Sequence, residues 1–326
     1  MIYRRLLLAC LVPPFLAMAG PAPAPSLDAA VALYTARRDA EAQTALDALR
    51  KAAPDDPRVL DYLARLARRR NDWPAVSELY EQCTRLAPDS AAYWAALGEA
   101  RGSLARRAGI FERIGLAHQC RDALEKAVAL APDNLTYRDG LVHFYLDAPA
   151  VAGGGADKAL AQAAEIARRD AFACAMATGS IRQDEEQWEE AEQSFREAAR
   201  LKPDELLPVL ALGRLAIERG RYDDAFAQFA AVLAKQPDNP AALFETGRTA
   251  ALSGRQLDRG EAGLRQYLAQ PQRSSNLPTH AQAHLQLGRL LVRKGDPASA
   301  RAEFTEALRL DPGLKEAAGA LAALPK

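Results

Sequence analysis

The chain has 326 residues, of which 49% are hydrophobic and 6% aromatic, and its 42 basic side chains balance 42 acidic ones. A formal charge of zero supplies no global field for nucleic acid or anionic lipid, which excludes binding by bulk charge. The apolar content is ample for a core, and the abundance of alanine and leucine favours helices over strands.

Residues 1–19 open with Arg4 and Arg5, run apolar from Leu6 to Ala17 and finish on Ala17-Met18-Ala19. That is the layout of a cleaved export signal, so a periplasmic or secreted location is expected. The apolar run, interrupted by Pro13 and Pro14, is shorter than the ~20 residues a bilayer span requires. Leu7-Leu8-Ala9-Cys10 has the outline of a lipid-attachment site, but too short an apolar stretch precedes Cys10, and lipid anchoring is not expected. Residues 20–25, with alternating proline and alanine, read as a short stiff linker. Cys83, Cys120 and Cys174 are odd in number and far apart, so they form no disulfide framework. Cys83 and Cys120 read as small core residues.

Prolines then set a period. Pro54 and Pro88 are 34 residues apart, as are Pro203, Pro237 and Pro271; Pro132 follows Pro88 by 44 and Pro312 follows Pro271 by 41. Within residues 206–239, Val209, Leu212, Leu215 and Ala216 recur at helical spacing until Gly220 breaks the helix. Ala225, Phe229, Val232 and Leu233 form a second stripe, which Pro237 ends. Small Gly213 and Ala225 let two such helices approach closely. One hairpin cannot bury both stripes, so copies must stack. With Leu212-Gly213 at positions 7 and 8 of this unit, Ala225 at 20, Phe229 at 24 and Pro237 at 32, it resembles the tetratricopeptide repeat. The resemblance implies an all-α solenoid of about eight helix-turn-helix repeats, wound as a right-handed superhelix, over residues 26–314.

The repeats fall in order. The first, 23–56, has Ser26 as N-cap and Ala42 and Leu46 as anchors; the second, 57–90, has Leu60, Leu63, Ala64, Val76 and Tyr80, with Pro74 in a first turn where its missing N–H costs nothing. The third, 91–134, opens on Trp94, Leu97 and Gly98 and detours through Ser103–Gly115 before Cys120, Leu124 and Ala127. The fourth, 135–171, has Leu141, Val142 and Tyr145, a loop from Ala148 to Gly155, and a helix around Ala159–Ile166. The fifth, 172–205, regains the period with Gly179, Ala191, Phe195 and Ala198, and 206–239 is the sixth. The seventh, 240–273, places Arg259 and Gly263 at positions 20 and 24, so Leu264 and Tyr267 replace them after a one-residue slip. Ser274–His280 is a polar spacer, the eighth repeat spans 281–314, and residues 315–326 form a capping helix with Lys315 and Glu316 on its wet face.

Chemistry-bearing clusters are few. His280 and His284 share a helix face, but no glutamate follows His280 as a metalloprotease motif needs, and no metal is expected. Gly153-Gly154-Gly155 lacks the ending of a phosphate loop and reads as a flexible turn. His118 and His143 have no triad partners, so no catalytic residue and no cofactor is assigned. The acidic run from Asp184 to Glu192 reads as a solvated helix start facing the positive end of the dipole. The insertion carries Arg106, Arg107, Ile110, Phe111 and Arg113, and reads either as a contact for a partner or membrane or as an extra helical turn folded back on the array.

The resemblance further implies that first helices line a concave face, with positions 2, 5, 9, 12 and 13 pointing into it. Position 9 holds Val31, Arg65, Glu99, His143, Ser180, Arg214, Arg248 and Arg289. Arg68 and Arg69 reinforce Arg65, and Arg293 reinforces Arg289, so the groove reads as basic at both ends with Glu99, Asp139 and Asp147 between. The asparagines of the family's carboxylate clamp are missing. Against a basic groove stands pairing of these arginines with Glu218, Glu245 and other local acids. The expected function is a non-enzymatic scaffold that binds a protein or an acidic peptide segment, in assembly of a cell-envelope complex. The alternatives are a chaperone holding unfolded clients and a structural protein self-associating through its terminal repeats.

Overall fold

A computed structural model describes residues 26–271 and 277–325; the export signal, the linker and part of the polar spacer lie outside the described residues. Every regular element among the described residues is helical. The first four helices are α1 (Leu27–Thr35), α2 (Asp39–Ala52), α3 (Pro57–Arg69) and α4 (Trp73–Leu86). They are followed by α5 (Ala91–Ala105), α6 (Ile110–Leu130), α7 (Leu135–Asp147) and α8 (Ala156–Ala167). The array continues with α9 (Ala171–Asp184), α10 (Trp188–Leu201), α11 (Leu207–Glu218) and α12 (Tyr222–Lys235). Next come α13 (Pro240–Ser253), α14 (Leu257–Leu268), α15 (His280–Arg293) and α16 (Pro297–Leu310), and α17 (Lys315–Ala322) closes the chain. Each odd–even pair is one hairpin that packs on the next, which gives the eight-repeat solenoid and its capping helix.

Local rules explain the joints. Ser26, Asp56, Asp72, Asn134, Asp170, Asn239, Thr279 and Asp296 each accept a backbone N–H at the start of a helix. Where the first helix of a repeat turns into the second, one residue takes positive φ: Arg37, Asn71, Glu186, Gly220, Gly254 and Gly295. All six occupy position 15 of their repeats. In the seventh repeat Gln256 is also left-handed, with φ 49°, so α14 starts one residue late. This is the slip read from the sequence, and its cause is an extra turn residue. Leu264 is fully buried accordingly.

The hairpins close through one recurring contact. A Cβ built on Gly179, Gly213 or Gly288 would lie within 3.0 Å of the ring of Phe195, Phe229 or Phe304. Leu124 fills the same place opposite Gly98, and Leu264 opposite Gly247. Side chains so close to backbone leave no space for another methyl.

Two expectations need correction, and the insertion takes the helical one of its two readings. Leu212 is only partly buried, and Leu215 is the fully buried residue of that helix. The detour through Ser103–Gly115 is mostly helix: only residues 106–109 lie outside α5 and α6, and the extra length makes α6 a helix of 21 residues. The loop at 148–155 is a built turn. It contains a short 3-10 segment (Ala150–Ala152), Gly155 N–H donates to Tyr145 O (2.8 Å), and Gly154 abuts the carbonyl of Ala148 with no room for a side chain.

Candidate functional site

The groove arginines arise on the first helices, and nearly all meet a partner within the array. Arg65 Nε donates to both carboxylate oxygens of Asp61 (3.0 Å each), and the Tyr80 hydroxyl donates to the same carboxylate (2.8 Å). Burial pushes the Tyr80 hydroxyl well above its ordinary value, and the Cys83 thiol up to about 12. Arg68 Nη2 donates to Glu99 Oε1 (2.5 Å), which joins the second repeat to the third. Arg69 pairs with Asp39, donates to Tyr34 O (3.0 Å) and lies 3.6 Å over the Tyr34 ring. Its guanidinium is committed to the joint between the first two repeats.

In the later repeats, Arg214 Nε (2.8 Å) and Arg248 Nη1 (2.9 Å) both donate to Glu245, whose residue is only 5% exposed. The sequence placed these two arginines in a row; the structure brings them together on one carboxylate. Glu218, the other acid named for pairing, accepts from Gln183 instead. Arg293 donates to Ala251 O and Leu252 O and so satisfies last-turn carbonyls of α13. Arg289 is half-buried and makes no hydrogen bond or ion pair among the described residues.

Side chains of the first three repeats face the spacer and the eighth repeat. The gap between them is a cavity of about 1200 Å³, walled on one side by Tyr34, Arg65, Arg68 and Tyr93 and on the other by His280 and Asp311. Both ends of the array therefore contribute to one recess. Arg65 and Arg68 are about half exposed there, whereas Arg69 is mostly covered. A bound segment would meet guanidiniums and tyrosine rings together, a surface that suits carboxylates and apolar side chains alike.

The remaining candidates fall elsewhere. His284 Nδ1 lies 2.6 Å from Glu303 Oε2, so it is paired and not solvated, and the ring of His280 meets that of Tyr267 edge-on. No group of three metal-ligating side chains gathers among the described residues. The acidic run is not wholly solvated either. Glu192 is only 9% exposed and accepts from Arg219 and Arg221 (3.0 and 2.8 Å), tying the fifth repeat to the sixth. On the insertion, Phe111 is 91% exposed and Ile110 70%, while Arg107 donates to Asn71 O (3.4 Å). Arg106 and Arg113 instead border a second cavity, between the third and fourth repeats.

Comparison with known proteins fits this geometry. Residues 210–256 and 281–314 match family models described as tetratricopeptide repeat. The fold is that of a tetratricopeptide-repeat solenoid. No curated protein matches it. Among solved structures, a tetratricopeptide repeat protein from Parabacteroides merdae is similar over 81% of this chain and 96% of its own, at 15% identity and TM-score 0.54. The Cut9 and Hcn1 hetero-tetramer of the APC/C is similar at 18% identity and TM-score 0.51, and the match covers 90% of this chain but only 54% of that one. A monomeric mutant of IFIT1 with Gppp-AAAA is similar at 14% identity and TM-score 0.57, over 89% of this chain and 69% of that one. Identities this low carry the fold alone.

Two features of the solenoid were missed in the sequence. The burial of Glu192 and Glu245 leaves no mark there, because it depends on which repeat lies above. The second cavity had a weaker signal, Gly102 and Gly140 on successive first helices.

Proposed function

We propose that this solenoid is a non-enzymatic scaffold that holds an extended peptide segment of a protein partner in its concave groove. The observation that carries the reading is the recess shared by the first three repeats and the eighth, with Arg65 and Arg68 half exposed beside Tyr34 and Tyr93. A segment lying there touches both ends of the array at once, so several weak contacts add up. The pairing of Arg65 and Arg68 with acids moderates their charge but does not cancel their function. Each guanidinium keeps free N–H donors, and an incoming carboxylate can share it with Asp61 or Glu99. Acidic segments with an aromatic or aliphatic residue are therefore the preferred class.

The wall of charged and tyrosine side chains favours a specific adaptor over a chaperone, since a holder of unfolded clients needs a continuous apolar surface. The reading of residues 1–19 as an export signal supports work outside the cytoplasm, in assembly or maintenance of an envelope complex. Selection from a randomised peptide library tests the reading. Enriched sequences should carry Asp or Glu near an aromatic residue, and their binding should weaken as salt rises. Enrichment of purely apolar sequences, indifferent to salt, would favour the chaperone.

A further inference from the structure

The extra residues of the third repeat build the second cavity. The last turn of α5, the first half of α6 and the end of α7 meet there around about 440 Å³, inside the range of ~300–1,000 Å³ usual for small-molecule sites. Small residues hold it open: Gly102, Ala105, Ala117 and Gly140 occupy places where larger side chains would interdigitate, over a floor of Leu124 and Phe144. The void is not forced by the helix crossing. A Cβ on Gly140 would have Leu124 Cδ2 as its neighbour at 3.6 Å, an ordinary contact, whereas Gly213 has no space at all.

The mouth carries Arg106 and Arg113. Arg106 Nη2 donates to Ser103 Oγ (3.2 Å) and Arg113 Nη2 to Ala108 O (3.0 Å), and neither guanidinium bonds an acid. Each keeps several of its five N–H donors open. Arg106 leans over the cavity, with Nη1 3.9 Å from where a Cβ of Gly102 would stand. Two acids also border the space. Glu99 is held by Arg68, and Asp147 remains; His143 beside them is 3.5 Å from Asp139. The mouth thus has two unclaimed cations against one unclaimed anion, next to an apolar interior.

We propose that this cavity binds a single-chain monocarboxylate of the fatty-acid class, its acyl chain inside and its carboxylate on Arg106 and Arg113. Charge selects the class. A neutral apolar ligand leaves both arginines unused, and a doubly charged phosphate monoester meets Asp147 with its second charge. The site shares no lining residue with the recess at the ends of the array and meets it only through the Arg68–Glu99 pair.

Titration of the full chain with decanoate, followed by amide NMR, tests the proposal. Saturable shifts are expected at Gly102 and Gly140, and decanol, with the same chain, should bind roughly tenfold more weakly or worse. Arg106→Gln with Arg113→Gln should bring decanoate down to the affinity of decanol while leaving the melting temperature unchanged. Gly140→Leu, which fills the void, should abolish the shift at Gly102. The proposal is overturned if no saturable shift appears at these glycines, if decanol binds as tightly as decanoate, or if both variant proteins bind decanoate like the parent.

Discussion

Gly213 lies against the ring of Phe229, so close that a Cβ on the glycine would stand within 3.0 Å of the ring. The pair closes the sixth repeat, and its counterparts close the fifth and eighth. Gly213→Val should cost about 1–3 kcal/mol through overpacking, and Phe229→Ala about 3–5 kcal/mol through the cavity it leaves. Because the two changes act on one contact, their sum should exceed the cost of the double mutant. Urea unfolding of all three variants measures this, and strict additivity would show that the residues do not share a contact.

That pairing explains why much of the fold was legible. Leu-Gly, Ala and Phe at fixed spacing encode a helix crossing directly, and the prolines mark where each hairpin ends. Even the seventh repeat followed, since Leu264 stands one residue late and Gln256 supplies the extra turn residue. The insertion was harder. Its residues admitted either an outside contact or an added helical turn, and Gly115 sits within α6 with nothing near it, where an exposed glycine costs only ~1 kcal/mol. The arginines were legible as places on first helices but not as free or paired charges. Whether Arg214 reaches solvent or Glu245 depends on the stacking angle between repeats, which no local pattern states.

Glu245 is buried beneath Arg214 and Arg248, so removing both arginines strands a carboxylate. Arg214→Ala with Arg248→Ala should destabilise the array by about 1–3 kcal/mol, since the guanidiniums are themselves partly exposed. Adding Glu245→Gln should restore most of that loss. Thermal melts of the double and triple variants decide it: a triple variant less stable than the double would mean the carboxylate is supported elsewhere.

Acid should loosen the helix starts. The Ala173 N–H, and then Lys202, hold the Asp170 carboxyl below the usual aspartate value of 3.8. Asp296 is held down in the same way by Ser299. Their folded values lie below the unfolded one, so their contribution is complete above the unfolded value and is lost as pH falls through the folded value. Asparagine caps as well as aspartate but does not titrate. Asp170→Asn with Asp296→Asn should therefore lose less stability than the parent between about pH 5 and about pH 3. Equal losses in denaturant titrations at the two pH values would refute the assignment.

The recess joining the two ends of the solenoid is the centre of the account, and a binding titration tests it most directly. Arg68 suits the purpose: both it and Glu99 are about half exposed, so Arg68→Ala strands no buried charge. A library-selected acidic peptide should bind Arg68→Ala with Tyr93→Ala at least roughly tenfold more weakly than the parent, through loss of a charge-assisted bond and an aromatic contact. Arg200→Ala with Arg309→Ala, on exposed ends of second helices, should leave the affinity unchanged. The contrary result, full affinity in the first pair or an equal loss in the second, would place the peptide outside the groove.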